Sequence, residues 1–245
     1  MGPFRRALVN HLAFVSASYP KPPLFFDPAA ILSAGINKVA FIRHGNTNKA
    51  PTGGNDFDRQ LTDLGRDQAW AAGTSYGTGI QPFYTLALCS PAPRCVETAK
   101  IFLEAVGIGE DQIEFMRKEV LYDGTMQPEG SRLFKKIGYA PLRDYYEDPD
   151  LDDRMVSHKI LGSYGISSLE AIKEVAEDIT GQSHSGGKTL LFFAHAVYLP
   201  AASFCLASAI GCMGEDLDIV LDTNTKEVEG YLVDLEEKKC SLLCH

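Results

Sequence analysis

The sequence predicts an α/β fold built on a mostly parallel sheet. Three short apolar runs, at residues 38–42, 85–89 and 189–194, are continuous rather than alternating, as in strands buried on both faces. Each run stops at a polar turn, and each turn is followed by a helix signal. Each also leaves chemistry-bearing residues at its carboxyl end: Arg43-His44-Gly45, Ser90-Pro91 with Arg94 close behind, and His195. Ligands of open α/β sheets gather at that end of the strands.

Residues 1–37 read as a separate extension. Arg5, Arg6 and Lys21 precede the first acid, Asp27, and alanines and serines are followed by Pro20, Pro22, Pro23 and Pro28. That composition fits either an organelle transit peptide, for plastid or mitochondrion, or an irregular extension packed on the domain of a cytoplasmic protein; residues 8–17 also resemble a short secretory h-region. Residues 28–32 predict a short helix ending at Gly35. After the first strand, a polar loop to about Phe57 is expected to line a pocket mouth. Thr62 is a natural N-cap for a helix running to about Tyr76, and Gly65 inside it marks a close approach. A second helix follows Arg94 to about Val106. Residues 113–121 predict a third strand, leading to Tyr122-Asp123-Gly124. The irregular, charge-rich stretch 124–167 reads as a partly helical lid inserted into a domain spanning 38–245. Ser167-Ser168-Leu169-Glu170 has the form of a capping box opening a helix to about Ile179. Residues 201–210 predict a buried helix, 217–221 and 228–235 two antiparallel strands, and the tail from Glu236 a frayed end.

With 45% hydrophobic and 22% charged residues the composition is globular, and no apolar run is long enough to span a bilayer. The net charge of −9 leaves no basic stripe for nucleic acid. An anionic substrate must therefore be drawn in by a local positive pocket. The six cysteines form no CxxC pair and no zinc spacing, which fits a reducing compartment; Cys240 and Cys244 could close a late disulfide or metal clip.

A guanidinium beside an imidazole suits a phosphate. Arginine grips phosphoryl oxygens with its planar fork, and histidine can be a nucleophile or proton carrier. Taken singly, Arg43-His44 also fits a surface pair, and Arg94 a helix-face ion pair with Glu97. The set in order resembles the histidine phosphatase superfamily, of phosphoglycerate mutase-like fold: Arg43-His44-Gly45-x-Thr47, Leu61-Thr62-x-x-Gly65-x-x-Gln68-Ala69, Ser90-Pro91-x-x-Arg94-x-x-x-Thr98-Ala99, and the late His195. The resemblance implies a doubly wound sheet with helices on both faces. It makes His44 the nucleophile that becomes a phosphohistidine, with Arg43, Arg94, Asn46 and a cationic His195 around the phosphoryl group. It implies no metal or cofactor. The family's proton donor stands in a Leu-x-Glu context, which here reads Leu121-Tyr122-Asp123, so Asp123 is the expected acid with Glu119 and Glu129 in reserve. A phosphatase acting on a phosphorylated small molecule or phosphoprotein is expected, because Ala196 stands where mutases of the family carry Gly-Gly. A phosphoglycerate mutase and a non-catalytic phosphate-binding protein are the alternatives, and no particular oligomeric state follows.

Overall fold

The first apolar run becomes strand β1, Ile36–Arg43, whose alternate side chains part to opposite faces of a sheet. Val39 and Phe41 join one buried cluster, while Ala40 and Ile42 join another. The computed structural model describes residue 19 and residues 26–50, 52, 54–76, 85–108, 113–123, 128–179 and 187–243. In β2, Thr85–Cys89, Leu86 and Leu88 take the first face and Ala87 and Cys89 the second. Strand β3 covers Ile113–Arg117. In β4, Lys188–Ala194, Leu190 and Phe192 take the first face and Leu191 and Phe193 the second. Strands apolar on both faces need cover on both faces, and that is why these runs show no alternation.

Strand β4 lies between β1 and β2 and runs parallel to both, and β3 extends the parallel set beyond β2. On the other side, β5, Gly230–Asp234, is antiparallel to β1, and β6, Lys239–Leu243, is antiparallel to β5. The order across the sheet is β3-β2-β4-β1-β5-β6. One face is covered by α1, Pro28–Ser33, and by three later helices described below. The other is covered by α2, Asp63–Tyr76, and α3, Pro93–Val106, through Ala69, Ala72, Ala99, Phe102 and Leu103. Between β3 and β4 come α4, Val120–Asp123, α5, Pro128–Ile137, α6, Leu142–Tyr146, and the long α7, Leu151–Asp178. Helices α8, Tyr198–Ile210, and α9, Glu215–Asp222, complete the first face with α7. Among the described residues no helix is long and apolar enough to cross a membrane.

Several expectations are corrected. No helix begins at Ser167: α7 runs unbroken through it, and Ser168 is buried in mid-helix. The real cap is Asp150, whose carboxylate accepts from the Asp153 amide at 3.1 Å. The acidic run around it supplies the favourable negative charge at the helix start, so the helix crosses the expected edge of the insertion at 167. Residues 217–221 are helical rather than extended. Glu215, Asp216 and Asp218 occupy the first turn of α9, while Val220 and Leu221 turn inward. The third strand stops at Arg117, and the chain then turns into α4 with Leu121 fully buried. The tail is not frayed, because it returns as β6 with Cys240 pointing inward. Cys240 is a buried free thiol; Cys244, its expected partner, lies outside the described residues.

The described part of the extension packs on the domain. Strand β1 begins inside it at Ile36, and Phe26 and Ile31 are buried. The Tyr19 ring packs 5.6 Å from that of Tyr146 and 5.4 Å from that of Phe204, and its hydroxyl donates to the Glu147 carboxylate. The h-region read at residues 8–17 lies outside the described residues.

Candidate active site

The parallel ladder aligns the ends of β1, β2 and β4. The His44 amide donates to the Ala194 carbonyl at 3.1 Å, and the Ser90 amide to the Phe193 carbonyl at 3.0 Å. Arg43, His44, Ser90 and His195 therefore share one edge of the sheet. The turn after β1 is held from three sides. The Gly45 amide donates to Thr98 Oγ1 at 3.0 Å, the Asn46 amide donates to Gln68 Oε1 at 2.9 Å, and the Asn46 carbonyl accepts from the Thr62 amide at 3.0 Å. Thr62 Oγ1 caps α2 by accepting from the Gly65 amide at 3.0 Å. The close approach expected at Gly65 is present, since a Cβ there would stand 2.1 Å from the Asn46 carbonyl oxygen.

His44 Nδ1 lies 2.8 Å from the Gly45 carbonyl oxygen. A carbonyl only accepts, so Nδ1 carries the proton and the neutral ring keeps its lone pair on Nε2. Burial, and next the Arg94 charge, push the pKa of His44 down to about 3. The ring is neutral at physiological pH.

His195 is 5.5 Å from His44, ring to ring. Arg94 Nη2 stands 3.1 Å from its Nδ1, and Ser90 Oγ 2.9 Å from its Nε2. A guanidinium only donates, so Nδ1 is an acceptor and His195 is also neutral. Burial first, then electrostatic coupling to the neighbouring His44 ring and the Arg94 charge, hold its pKa well below the ordinary value. This corrects the expectation of a cationic His195.

Arg94 makes no ion pair with Glu97, which instead takes Arg66 at 2.7 Å. Its Nη1 donates to the Asp56 carbonyl at 2.7 Å, and its Nη2 to the Asp56 carboxylate at 2.9 Å. The other carboxylate oxygen of Asp56 accepts from Arg59 Nη1 at 3.1 Å. Arg43 is fixed comparably: Nη1 donates to the Thr225 carbonyl at 2.7 Å, Nη2 lies 3.6 Å from Glu227 Oε1, and the guanidinium sits 5.0 Å from the Tyr139 ring centroid. Both Nη groups of Arg94 and Nη1 of Arg43 are hydrogen-bonded to the protein, while among the described residues Nε of each arginine is buried without a hydrogen-bond partner.

A cavity of about 290 Å³ opens here, lined by Arg43, His44, Asn46, Arg59, Tyr139 and Glu227 among others. Arg94 and His195 are almost fully buried behind it. Asp123 ends α4, and its side chain lies outside the described residues. Glu119 and Glu129 are exposed and do not line the cavity.

The sequence reading missed Arg59, Asp56, Tyr139, Thr225 and Glu227 as site residues. Asp56 carried a usable signal, because it lies in the loop expected to line the pocket mouth, and Arg59 follows that loop just before the Thr62 cap. Tyr139 and residues 225–227 carried none, because only the tertiary fold brings them to β1. The segment from Thr225 forms a tight turn in which Glu229 N donates to the Lys226 carbonyl at 3.2 Å and Val228 has φ +58°. The turn is pinned to Arg43 by Val228 N to the Arg43 carbonyl, 3.1 Å, and Arg43 N to the Glu229 carbonyl, 3.0 Å. A β-branched residue in that conformation costs about 1–2 kcal/mol.

Among solved structures, the chain is similar to phosphoserine phosphatase of Entamoeba histolytica, with 15% identity and a TM-score of 0.51 over 84% of this chain and 94% of that one. A mycobacterial glucosyl-3-phosphoglycerate phosphatase gives 17% identity and a TM-score of 0.49 over 84% and 97%. The ecdysone phosphate phosphatase of Bombix mori gives 21% identity and a TM-score of 0.43 over 73% and 80%. No curated protein sequence matches the chain. The family model for the histidine phosphatase superfamily (branch 1) matches residues 39–118, from β1 through β3, and so takes in the Arg43-His44-Gly45 turn and Arg94. The matched segment carries the Arg43-His44-Gly45 turn of the cavity, and over that segment the chain is similar to the histidine phosphatase superfamily.

Proposed function

We propose that the protein is a phosphatase that hydrolyses a phosphomonoester through a phosphohistidine at His44. The observation that carries this reading is the state of His44: neutral, with Nδ1 committed to the Gly45 carbonyl at 2.8 Å and the Nε2 lone pair left for attack. A nucleophile must be unprotonated at the atom that attacks, and here burial among arginines keeps it so.

The phosphoryl group takes its place against Arg43, Arg94, Asn46 and His195. Among the described residues, the buried Nε groups of Arg43 and Arg94 are donors without partners. Each such orphan costs about 1–3 kcal/mol, and phosphoryl oxygens relieve that cost. Because the Nη ends are already held by Thr225 and Asp56, the guanidinia need no reorganisation to receive charge as it shifts in the transition state. His195 takes up a proton more readily once a dianion lies beside it. The reading needs no metal, since the arginines supply the positive charge, and hydrolysis is expected to withstand EDTA. The cavity volume of about 290 Å³ sits at the small end of ligand sites and favours a phosphorylated small molecule over a bulky partner.

The test is hydrolysis of 4-nitrophenyl phosphate together with trapping of acid-labile phosphate on the quenched enzyme. His44→Ala is expected to abolish both. Turnover that survives His44→Ala undiminished would refute the proposal.

A further inference from the structure

Departure of an alkoxide from phosphorus needs a proton, and a well-placed acid contributes about 10²- to 10⁴-fold to the rate. Resting on the phosphatase reading, we propose that Glu227 is that acid. It is a carboxylate that lines the same cavity as His44. Its Oε1 stands 3.6 Å from Arg43 Nη2 and its side chain keeps 30% of its exposure, so the pair is too long to be a hydrogen bond and the oxygen is not committed. Asp56, the carboxylate hydrogen-bonded to Arg94, has its two oxygens on Arg59 and Arg94.

The local build supports the assignment. Glu227 rides on the turn pinned to Arg43 through the Val228 amide and the Glu229 carbonyl. It is therefore carried with the arginine that receives the phosphoryl group. The strained backbone of Val228, φ +58°, immediately follows it. Strain of this kind persists where the surroundings fix a side chain in place.

The step balances as follows. His44 Nε2 forms a bond to phosphorus while the bond from phosphorus to the ester oxygen breaks, its electron pair going to oxygen. The Glu227 proton moves to that oxygen and the alcohol leaves. Water then attacks the phosphohistidine, returns a proton to the Glu227 carboxylate and releases orthophosphate, restoring neutral His44.

An acid is needed only when the leaving group is poor, so the test compares leaving groups. Glycerol phosphate and 4-nitrophenyl phosphate are assayed with wild type, Glu227→Gln, Glu227→Asp and Asp123→Asn. For Glu227→Gln, kcat/KM on the alkyl ester is expected to fall about 10²- to 10⁴-fold, and on the aryl ester less than about tenfold. Glu227→Asp is expected to restore part of the alkyl ester rate. Equal losses on both esters, no loss at all, or selective loss in Asp123→Asn rather than Glu227→Gln would overturn the assignment while leaving the phosphatase reading intact. If the wild type forms no acid-labile phosphate on His44 from either ester, that reading fails and the assignment fails with it.

Discussion

Replacing Gly65 by alanine should reverse the usual sign of a helix substitution. In an exposed helix interior, glycine to alanine gains about 1 kcal/mol. Gly65 is the third residue of α2, but it is buried against the turn that carries His44. The added Cβ would lie 2.1 Å from the Asn46 carbonyl oxygen and 2.9 Å from the Asn46 nitrogen. Both neighbours are backbone, so no side chain can swing aside. The two segments must separate by about 1 Å, an overpacking strain of about 1–3 kcal/mol. The hydrogen bonds from the Thr62 amide to the Asn46 carbonyl and from the Asn46 amide to Gln68 stretch as they part, losing up to about 1 kcal/mol each. The helix gain is outweighed, and a net destabilisation of about 1–3 kcal/mol is expected. A shift of about 1 Å passed to His44 should also lower kcat/KM about 100-fold. Urea denaturation with an unchanged m-value reads the first effect, and hydrolysis of 4-nitrophenyl phosphate the second. A variant more stable than wild type with full activity would show that the contact is not a constraint.

The two site histidines should make the fold acid-sensitive. Their folded pKa values are lowered, His44 to about 3, so below the unfolded value near 6.5 the unfolded chain binds more protons. Stability should therefore fall as pH drops through 6.5 toward 3, by up to about 1.4 kcal/mol per pH unit for each histidine. Urea midpoints from pH 7 to 4 measure this, and the ring nitrogen shifts of His44 should stay constant from pH 8 to 5 in the ligand-free protein; a midpoint near 6.5 in the folded state would contradict the burial argument. Tyr19→Ala should cost roughly 3 kcal/mol, because the ring is 8% exposed and packed on Tyr146 and Phe204. Tyr19→Phe, which loses the hydroxyl's bond to Glu147 and the one it accepts from Arg143, should cost about 1–2 kcal/mol. Thermal unfolding checks both, and a negligible change in Tyr19→Ala would mean that the ring does not anchor its segment.

The parallel core was legible because its strands are buried on both faces. Val39 through Ile42 has no choice but to be apolar throughout, so the pattern in one dimension reports the environment in three. The turn chemistry was legible for the same local reason: Thr62 caps where it stands, and Gly65 is a glycine because a backbone passes beside it. Local patterns failed where a second signal overrode them. Ser167-Ser168-Leu169-Glu170 has a cap's composition, yet Leu161, Tyr164 and Leu169 continue one buried stripe through it. Residues 217–221 have strand-like apolar character, but three acids in the first turn and the inward face of Val220 and Leu221 favour a helix. In the site, Arg43, His44, Arg94 and His195 were visible because each ends or follows a strand. Tyr139 and Glu227 were not, because their only link to Arg43 is spatial. The neutral state of His195 was invisible as well, since it depends on the Arg94 contact at 3.1 Å.

The position of β4 between β1 and β2 governs when the site can exist at all. The strand that brings His195 is also the one that joins the strand of Arg43 to the strand that precedes Ser90 and Arg94. A chain growing from its amino end makes β1, α2, β2 and α3 early, but those pieces have no ladder between them until residues 188–194 emerge. Non-local parallel pairing of this kind is slow and comes late in folding. No chain that ends before residue 194 therefore holds the aligned strand ends, and the cavity is complete only when residues 224–227 follow and close its rim.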